Sequence, residues 1–223
     1  GEETLSDKHE VHQLVIRNMA VLEQAPAIVE EAEKRIFGAI DRKVEEWASA
    51  QKGWDGIYDF LESETTVKPA IWPTDEKDTW PACFSLNMLH GEGYKYRLSG
   101  LLHADGKEFG IRFVVGALWI TNTEGRKYVT ANKIWKEFLK TQFDNIPTFA
   151  QNGFRVEGDE LFHPIRLDPA ILADAYPDTL ADALEPVDEA LAHLAAALPE
   201  FDRLIEAAQA HFGRQAIEAT QPG

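Results

Sequence analysis

The sequence predicts an α+β fold, with a central antiparallel β-sheet of about five strands and long N- and C-terminal helices packed together. Hydrophobic residues recur at helical spacing over the first 50 residues and again after residue 168. Between these stretches the spacing shifts towards two, and turn residues alternate with aromatic and β-branched segments. We therefore expect one α+β domain over 1–223, with a helical arm at 1–52, the sheet and one inserted helix at 54–167, and a helical C-terminal segment at 168–215.

The N-terminal helix is predicted from hydrophobic residues that recur every seven positions, namely Val15, Leu22, Val29 and Ile36. Pro26 falls inside this series, and a proline within a helix removes one backbone hydrogen bond. We therefore expect either a kink at Pro26 or two helices near 7–24 and 26–50.

A hairpin is predicted in the middle of the chain. Asp105-Gly106 is a dipeptide typical of type I′ turns, and apolar and polar residues alternate on both sides of it. Folding the chain there pairs residues 94–102 with 109–117 and places their apolar members on one face, the predicted core face. His90-Gly91-Glu92 is then interpreted as a loop from a preceding strand at 83–88.

The other face of this predicted sheet collects small polar and basic side chains. Three strands supply Cys83, Ser85, Asn87, Lys95, Arg97, Ser99, His103, Glu108 and Arg112. Five of these are candidate ligand-binding residues, because clustered cations and hydroxyls can hold an anion: Lys95, Arg97, Ser99, His103 and Arg112. The solvated outer face of an antiparallel sheet shows the same alternation, so a binding site and a plain surface both fit the pattern.

Two pieces of chemistry are conceivable on that face. His103 beside Glu108 could form an oriented base, or simply an exposed ion pair between strands. Cys83 near Lys95 and Arg97 could be a reactive thiol, or a small buried hydrophobic residue. We assign no catalytic residue from these patterns.

The second half of the chain begins with a predicted helix. It starts at Thr130 or Asn132 and carries apolar residues to Phe143. A hairpin that turns at Gly158-Asp159 follows, and then a helix with Asp168 as its N-cap and Pro169 in its first turn.

The C-terminal segment carries a heptad seam of more than four repeats. Its members are Leu180, Leu184, Val187, Leu191, Leu194, Leu198, Phe201, Ile205, Ala208 and Phe212. Pro186 and Pro199 interrupt the backbone but not the phase of the seam, so we expect one bent helix or successive helices with the same face inward. We expect the seam to pack on the N-terminal helix, and a homodimer through this C-terminal heptad seam is the alternative.

The charge of the chain is strongly acidic and unevenly placed. The net charge of −16 argues against general affinity for nucleic acid or an anionic membrane. Residues 93–140 hold nine Lys/Arg against four acids, a net of +5, whereas residues 159–223 have a net charge of −10. Acidic helices beside a basic sheet region could orient a charged partner, or they could simply be solvated faces.

Several classes of site lack their motifs. A single cysteine excludes an intramolecular disulfide and thiolate-cluster metal sites, and no HxH or HExxH spacing occurs. Glycine-rich phosphate loops and a GxSxG elbow are also absent from the sequence. We therefore predict no metal and no cofactor. The single cysteine and an acidic N-terminus without an apolar h-region favour a soluble, cytoplasmic protein.

Two functional classes follow from these observations. The first is a non-enzymatic interaction protein, an acidic accessory, inhibitor or subunit whose partner is another protein, possibly one with a basic surface. The second is a small-ligand sensor or an enzyme that binds an anionic ligand on the polar basic face of the sheet. The missing motifs and the heptad-like helices at both ends favour the first.

Overall fold

The computed structural model describes residues 5–51, 53–72, 82–89, 94–115 and 128–219. Within these ranges, six strands form one antiparallel sheet in the order β1-β2-β3-β4-β6-β5. The strands are β1 (Trp54–Tyr58), β2 (Thr65–Pro69), β3 (Ala82–Met88), β4 (Phe109–Val115), β5 (Arg155–Glu157) and β6 (Glu160–Ile165). The predicted α+β class is confirmed, and the sheet has one strand more than the sequence predicts.

Long helices precede and follow the sheet, and shorter ones connect its strands. They are α1 (Leu5–Arg17), α2 (Met19–Ala50), α3 (Leu98–Leu101), α4 (Tyr128–Asn145), α5 (Pro147–Gln151), α6 (Pro169–Ala175), α7 (Leu180–Ala183) and α8 (Glu185–Ala219). The predicted helix start at Thr130 or Asn132 is therefore two to four residues late. The part of α2 after residue 35 and the part of α8 before residue 209 supply buried residues to one hydrophobic cluster with the sheet.

In β3 and β4, the residues that the sequence predicts to face the core do face it. Phe84 lies opposite Phe113 and Leu86 lies opposite Ile111, and all four side chains are fully buried. Because successive residues of a strand point to opposite faces, the intervening residues lie on the other side of the sheet. Cys83, Ser85, Asn87 and Arg112 therefore share the outer face, as the sequence predicts.

The predicted hairpin about Asp105-Gly106 is wrong. Residues 94–108 connect β3 to β4 and contain α3, and β4 pairs with β3 and β6 instead. The apolar residues of 94–102 also fit helical spacing, since Tyr94, Leu98 and Leu101 are four and three residues apart and all pack on the core. Gly106 does have a positive φ of +70°, but Asp105-Gly106 forms the end of a 3₁₀ helix, Ala104–Gly106, rather than a turn between two strands. The predicted loop at 90–92 and the predicted pair member Ala117 lie outside the described residues.

The N-terminal helices break at Asn18 and not at Pro26. Asn18 leaves helical geometry at φ −112° and ψ 20°, and its side-chain amide donates to the Leu14 carbonyl at 2.7 Å. Pro26 lies inside α2 on its exposed part. Water can bind the Leu22 carbonyl, which lacks its usual N–H donor there, so the helix continues through the proline.

The C-terminal elements follow their sequence signals closely. The Asp168 carboxylate accepts hydrogen bonds from the backbone N–H groups of Ala170 and Ile171 at 2.8 and 3.1 Å, which confirms the predicted N-cap. Gly158, with φ +63°, turns β5 into β6 as predicted. Pro186 lies in the first turn of α8 and Pro199 lies within it, so α8 is one helix across Pro199.

The heptad seam of the C-terminal segment faces the interior of the molecule. From Leu180 to Ala208 its members are buried, with Leu198 partly buried, while the side chain of Phe212 lies outside the described part. The Phe201 ring lies 4.8 Å from the ring of Phe84, 4.9 Å from that of Phe113 and 4.8 Å from that of Phe149. The seam therefore packs on α2, the partner that the sequence predicts for it, and also on the sheet and α5.

Polar contacts join the terminal helices to the rest of the core. Asp41 of α2 accepts hydrogen bonds from the Phe60 backbone N–H at 3.1 Å and from the Thr65 hydroxyl. The Trp72 indole donates to Asp202 of α8 at 2.7 Å. These bonds tie both long helices to the β1–β2 region.

Candidate interaction surface

The predicted anion site does not assemble on the sheet. Lys95, Arg97, Ser99 and His103 all belong to the connection between β3 and β4, and only Arg112 lies in a strand. Arg97 donates to the Leu61 carbonyl at 2.9 Å, and its guanidinium lies 5.5 Å from the centre of the Phe60 ring. These four residues therefore do not share the outer face with Arg112.

Each of the other three has a local environment of its own. The Lys95 ammonium lies 5.0 Å from the centre of the Tyr96 ring. Ser99 is half-buried at the second position of α3. A ring nitrogen of His103 lies 3.1 Å from the Ile165 carbonyl. The predicted pair of His103 with Glu108 does not form, because Glu108 binds Arg155 instead.

Arg112 is held by a carboxylate. Its Nε and Nη2 groups donate to the two oxygens of Glu160, with a 2.6 Å bond from Nε to Oε2. Both side chains are largely shielded, with 24% and 15% of their surface exposed. Such a bidentate pair uses the donors that an anionic ligand would need, so Arg112 acts here as a support of the sheet.

The remaining outer-face polar residues are buried or paired. Lys68 is fully buried, and its ammonium donates to Asp55 at 3.2 Å and to the Trp72 carbonyl at 3.4 Å. The Thr66 hydroxyl is buried and has no hydrogen-bond partner among the described contacts. Since the cations of this face already have anionic partners, the face offers no open basic patch in the described part of the chain.

Cys83 is a largely shielded thiol with a little residual exposure, which favours the small apolar residue over the reactive thiol. Burial raises its pKa to about 12, with smaller contributions from the negative charges of Glu64 and Glu160. The thiol therefore stays protonated at neutral pH and is a poor nucleophile.

This state of Cys83 has a measurable consequence. We expect iodoacetamide at about pH 8 to label Cys83 at least about 100-fold more slowly in the folded protein than in urea, because almost none of it is thiolate. Intact mass spectrometry over time measures the two rates. Equal rates in the two conditions would contradict the buried assignment.

Two histidines meet between the sheet and α8. Nε2 of His163, on the core face of β6, lies 3.0 Å from Nδ1 of His193. Burial and the neighbouring His193 lower the pKa of His163 from 6.5, even though the Pro164 carbonyl works in the other direction. The folded protein therefore holds His163 neutral where the unfolded chain would take up a proton.

A pH dependence of stability follows from His163. Its contribution to the free energy of unfolding is complete above its unfolded pKa of 6.5 and is lost as the pH falls below that value. We expect urea unfolding between about pH 7 and pH 5 to show a smaller loss of stability for His163→Gln than for the wild type, by up to about 1.4 kcal/mol per pH unit. His12→Gln, a change at an exposed position, should keep the wild-type slope, and an unchanged slope for His163→Gln would refute this account.

A shallow groove of about 270 Å³ lies between α2 and the α6–α7 region. It is lined by both cations and acids, among them Arg42, Lys43, Glu46 and Asp178. The Lys43 ammonium already binds Asp188 at 2.6 Å. This mixture of charges gives no preference for a ligand of either sign.

The most unusual surface is the N-terminal arm, which we define as residues 9–31 of α1 and α2. Every residue from 9 to 24 is exposed, and Leu14, Ile16 and Leu22 expose 64%, 71% and 43% of their surface. Burial of α2 in the core begins only at Ile36. Most exposed apolar residues of a soluble domain occur singly, whereas a contiguous exposed patch marks an interaction site.

The apolar residues of the arm form a stripe with a seven-residue period. We call this set the apolar stripe, and its three pairs are Leu14-Val15, Val21-Leu22 and Ile28-Val29. Val11 precedes the first pair and Ala25 lies between the second and third pairs, each at three- and four-residue spacing from its neighbours. This period is the one with which helices pack on other helices. The stripe continues the line of Ile36 and Ile40, which do pack on the core.

The rest of the arm is mostly polar, with Ile16 and Met19 as exposed apolar exceptions, and ion pairs follow at its end. Lys34 binds Glu30 at 2.7 Å and Arg35 binds Glu31 at 3.1 Å, one turn apart along α2. These pairs stabilise the helix where it leaves the core. The arm thus consists of two helical pieces with an apolar side that is exposed from Val11 to Leu22 and partly covered at Ala25 and Val29.

The chain matches no known family model, and neither a curated protein nor a solved structure is significantly similar to it. No helix in the described ranges is long and apolar enough to cross a membrane. No group of three or more His, Cys, Asp or Glu in those ranges could hold a metal ion.

The apolar stripe was visible in the sequence, but its exposure was not. The seven-residue spacing of Val15, Leu22 and Val29 predicted a buried helix face packed on the C-terminal seam. In the structure the part of the N-terminal helices that contributes to the core with the seam is the second half of α2, from Ile36 onwards. A periodic pattern identifies an apolar face, and the tertiary fold decides how much of it is covered.

Proposed function

We propose that this protein is a non-enzymatic interaction protein whose N-terminal arm binds another protein. The observation that carries the proposal is the exposure of the apolar stripe from Leu14 to Ile28. An exposed helix with a continuous apolar side gains free energy when a second helix or a groove covers that side. A protein of this kind acts as an accessory, inhibitor or subunit, and a cytoplasmic location fits its single free cysteine.

The acidic surface supports the choice of a protein partner. With a net charge of −16, the molecule repels polyanions, and a partner with a basic surface would be attracted to it. Two acidic residues of α8, Glu189 and Glu206, lie away from the buried seam and are exposed. A basic partner could therefore contact the body of the molecule in addition to the arm.

The alternative function, binding of an anionic ligand on the polar sheet face, has less support. It required Arg97 and Arg112 to converge, and Arg97 lies in the β3–β4 connection while Arg112 binds Glu160. We therefore keep the interaction function as the proposal.

The proposal is tested by co-purification with tagged full-length protein from its native host. Leu22→Glu places a charge in the apolar stripe, and Ala20→Glu places the same charge on the far side of the same exposed helix. We expect Leu22→Glu to lose a protein that the wild type and Ala20→Glu retain in stoichiometric amount. Retention by all three forms, or recovery of no protein by the wild type, would contradict the proposal.

A further inference from the structure

We propose that His163 and His193 together bind a divalent transition-metal ion between the sheet and α8, with water in its remaining coordination positions. Nε2 of His163 lies 3.0 Å from Nδ1 of His193. Neutral imidazole nitrogens are common ligands of zinc, copper and nickel. No short motif marks such a site, because the two histidines are 30 positions apart and the packing of α8 on β6 brings them together.

The protonation of His163 suits a metal ligand. Nδ1 of its ring lies 3.0 Å from the Pro164 carbonyl oxygen, which can only accept a hydrogen bond. Nδ1 therefore carries the proton of the neutral ring, and Nε2 keeps the lone pair that faces His193. Histidines that bind a metal commonly donate their other N–H to a backbone carbonyl in this way, which fixes the ring. Burial and the neighbouring His193 lower the pKa of His163, so at neutral pH its ring is in the uncharged form that a metal requires.

The distance between the two nitrogens matches that of neighbouring ligands on one ion. With metal–nitrogen bonds of about 2.0 Å, two nitrogens at a right angle are about 2.8 Å apart, and two at a tetrahedral angle are about 3.3 Å apart. The observed 3.0 Å falls between these values. The two rings are inclined at 44°, and rotation of the exposed His193 ring would direct both lone pairs at one ion. The backbone therefore already holds the nitrogens at ligand spacing.

There is space for an ion beside His163. Gly153, just before β5, has φ +77°, and a Cβ atom there would lie 2.8 Å from Nε2 of His163 with only atoms of that ring as its three nearest neighbours. His163 is 7% exposed, whereas His193 is exposed. An ion would thus have a buried ligand on one side and water on the other. Since the described residues form no group of three or more ligating side chains, water completes the coordination.

The charge of the molecule favours a cation at this place. The chain has a net charge of −16, and residues 159–223, which contain both histidines, have a net charge of −10. Glu189 lies one turn before His193 on α8 and is exposed. A negative field of this kind raises the local concentration of cations.

The site is tested with purified full-length protein and Zn²⁺, in a competition titration against a chromogenic chelator. We expect His193→Gln to bind Zn²⁺ at least about tenfold more weakly than the wild type, since loss of even an outer partner of a ligand costs that much. His193 is exposed, so this variant should fold. His12→Gln, the same change at an exposed position of the arm, should keep the wild-type affinity.

Electron paramagnetic resonance with Cu²⁺ identifies the ligands. We expect nitrogen couplings from two imidazoles in the wild type and in His12→Gln, and from one in His193→Gln. Equal Zn²⁺ affinity in the three proteins, or a Cu²⁺ spectrum that His193→Gln leaves unchanged, would place the metal elsewhere and overturn the proposal. A wild type that binds no Zn²⁺ in large excess would overturn it as well.

Discussion

Replacing Phe201 by alanine is expected to lower the free energy of unfolding by about 3–5 kcal/mol, the range typical of a fully buried aromatic residue. Phe201 is fully buried in α8, and its ring contacts the rings of Phe84, Phe113, Phe149 and Phe154. The cavity left by the ring would lie between α8, two central strands and α5, so few single movements could fill it.

Urea unfolding followed by Trp fluorescence measures this loss. Glu206→Ala on the same helix is the control, because Glu206 is exposed and its loss should change stability by no more than about 0.5 kcal/mol. A Phe201→Ala protein within about 1 kcal/mol of the wild type would contradict the assignment of the C-terminal seam to the interior of one copy.

The second large effect is expected at the Arg112–Glu160 pair. Arg112→Ala should destabilise the protein by about 2 kcal/mol, because it leaves a shielded carboxylate without its bidentate partner. Glu160 also lies opposite Glu157 in the β5–β6 pair, so removal of the guanidinium leaves two like charges adjacent.

A double-mutant cycle separates a supporting role of Arg112 from a ligand-binding one. Arg112→Met combined with Glu160→Leu replaces both partners with apolar groups, and the double variant should be more stable than the sum of the two single losses predicts, by about 1–2 kcal/mol. Additive losses in urea unfolding would show that the two residues are not coupled. Additive losses would also make Arg112 a candidate for binding an anionic ligand again.

The sequence predicted the sheet well wherever local patterns had a single interpretation. The alternation in 82–88 and 109–115 placed Phe84 and Phe113 in the core and Arg112 on the outer face. Asp168 and Gly158 marked a helix start and a hairpin correctly, because an N-cap and a positive φ each require a particular residue type.

The sequence misled where one pattern fitted two structures. Residues 94–102 have apolar side chains that suit both a strand and a helix, and the pairing of β3 with β4 left them as a connection. That connection carries Lys95, Arg97, Ser99 and His103. These residues therefore do not lie on the sheet beside Arg112, as the predicted anion site required. Which strands become neighbours depends on contacts between distant parts of the chain, and local alternation does not contain that information.

The arm illustrates the same limit in a different form. Its heptad spacing predicts a helix with an apolar side, and α1 and α2 confirm the helix. The 13 residues of α1 are few enough for an isolated helix to be only marginally stable in water, so contact with a partner would stabilise it further. Only the folded structure shows that residues 9–24 extend beyond the core and leave that side uncovered.

Site-specific photo-crosslinking in the native host tests the central claim most directly. A photoreactive amino acid replaces Leu22 in one form of the protein and Ala20 in another, two exposed positions on opposite sides of α2. If the apolar stripe is a protein-binding surface, the probe at position 22 forms a discrete covalent adduct with a protein, and the probe at position 20 forms little or none. Equal adducts at both positions, or none at position 22, would contradict the account.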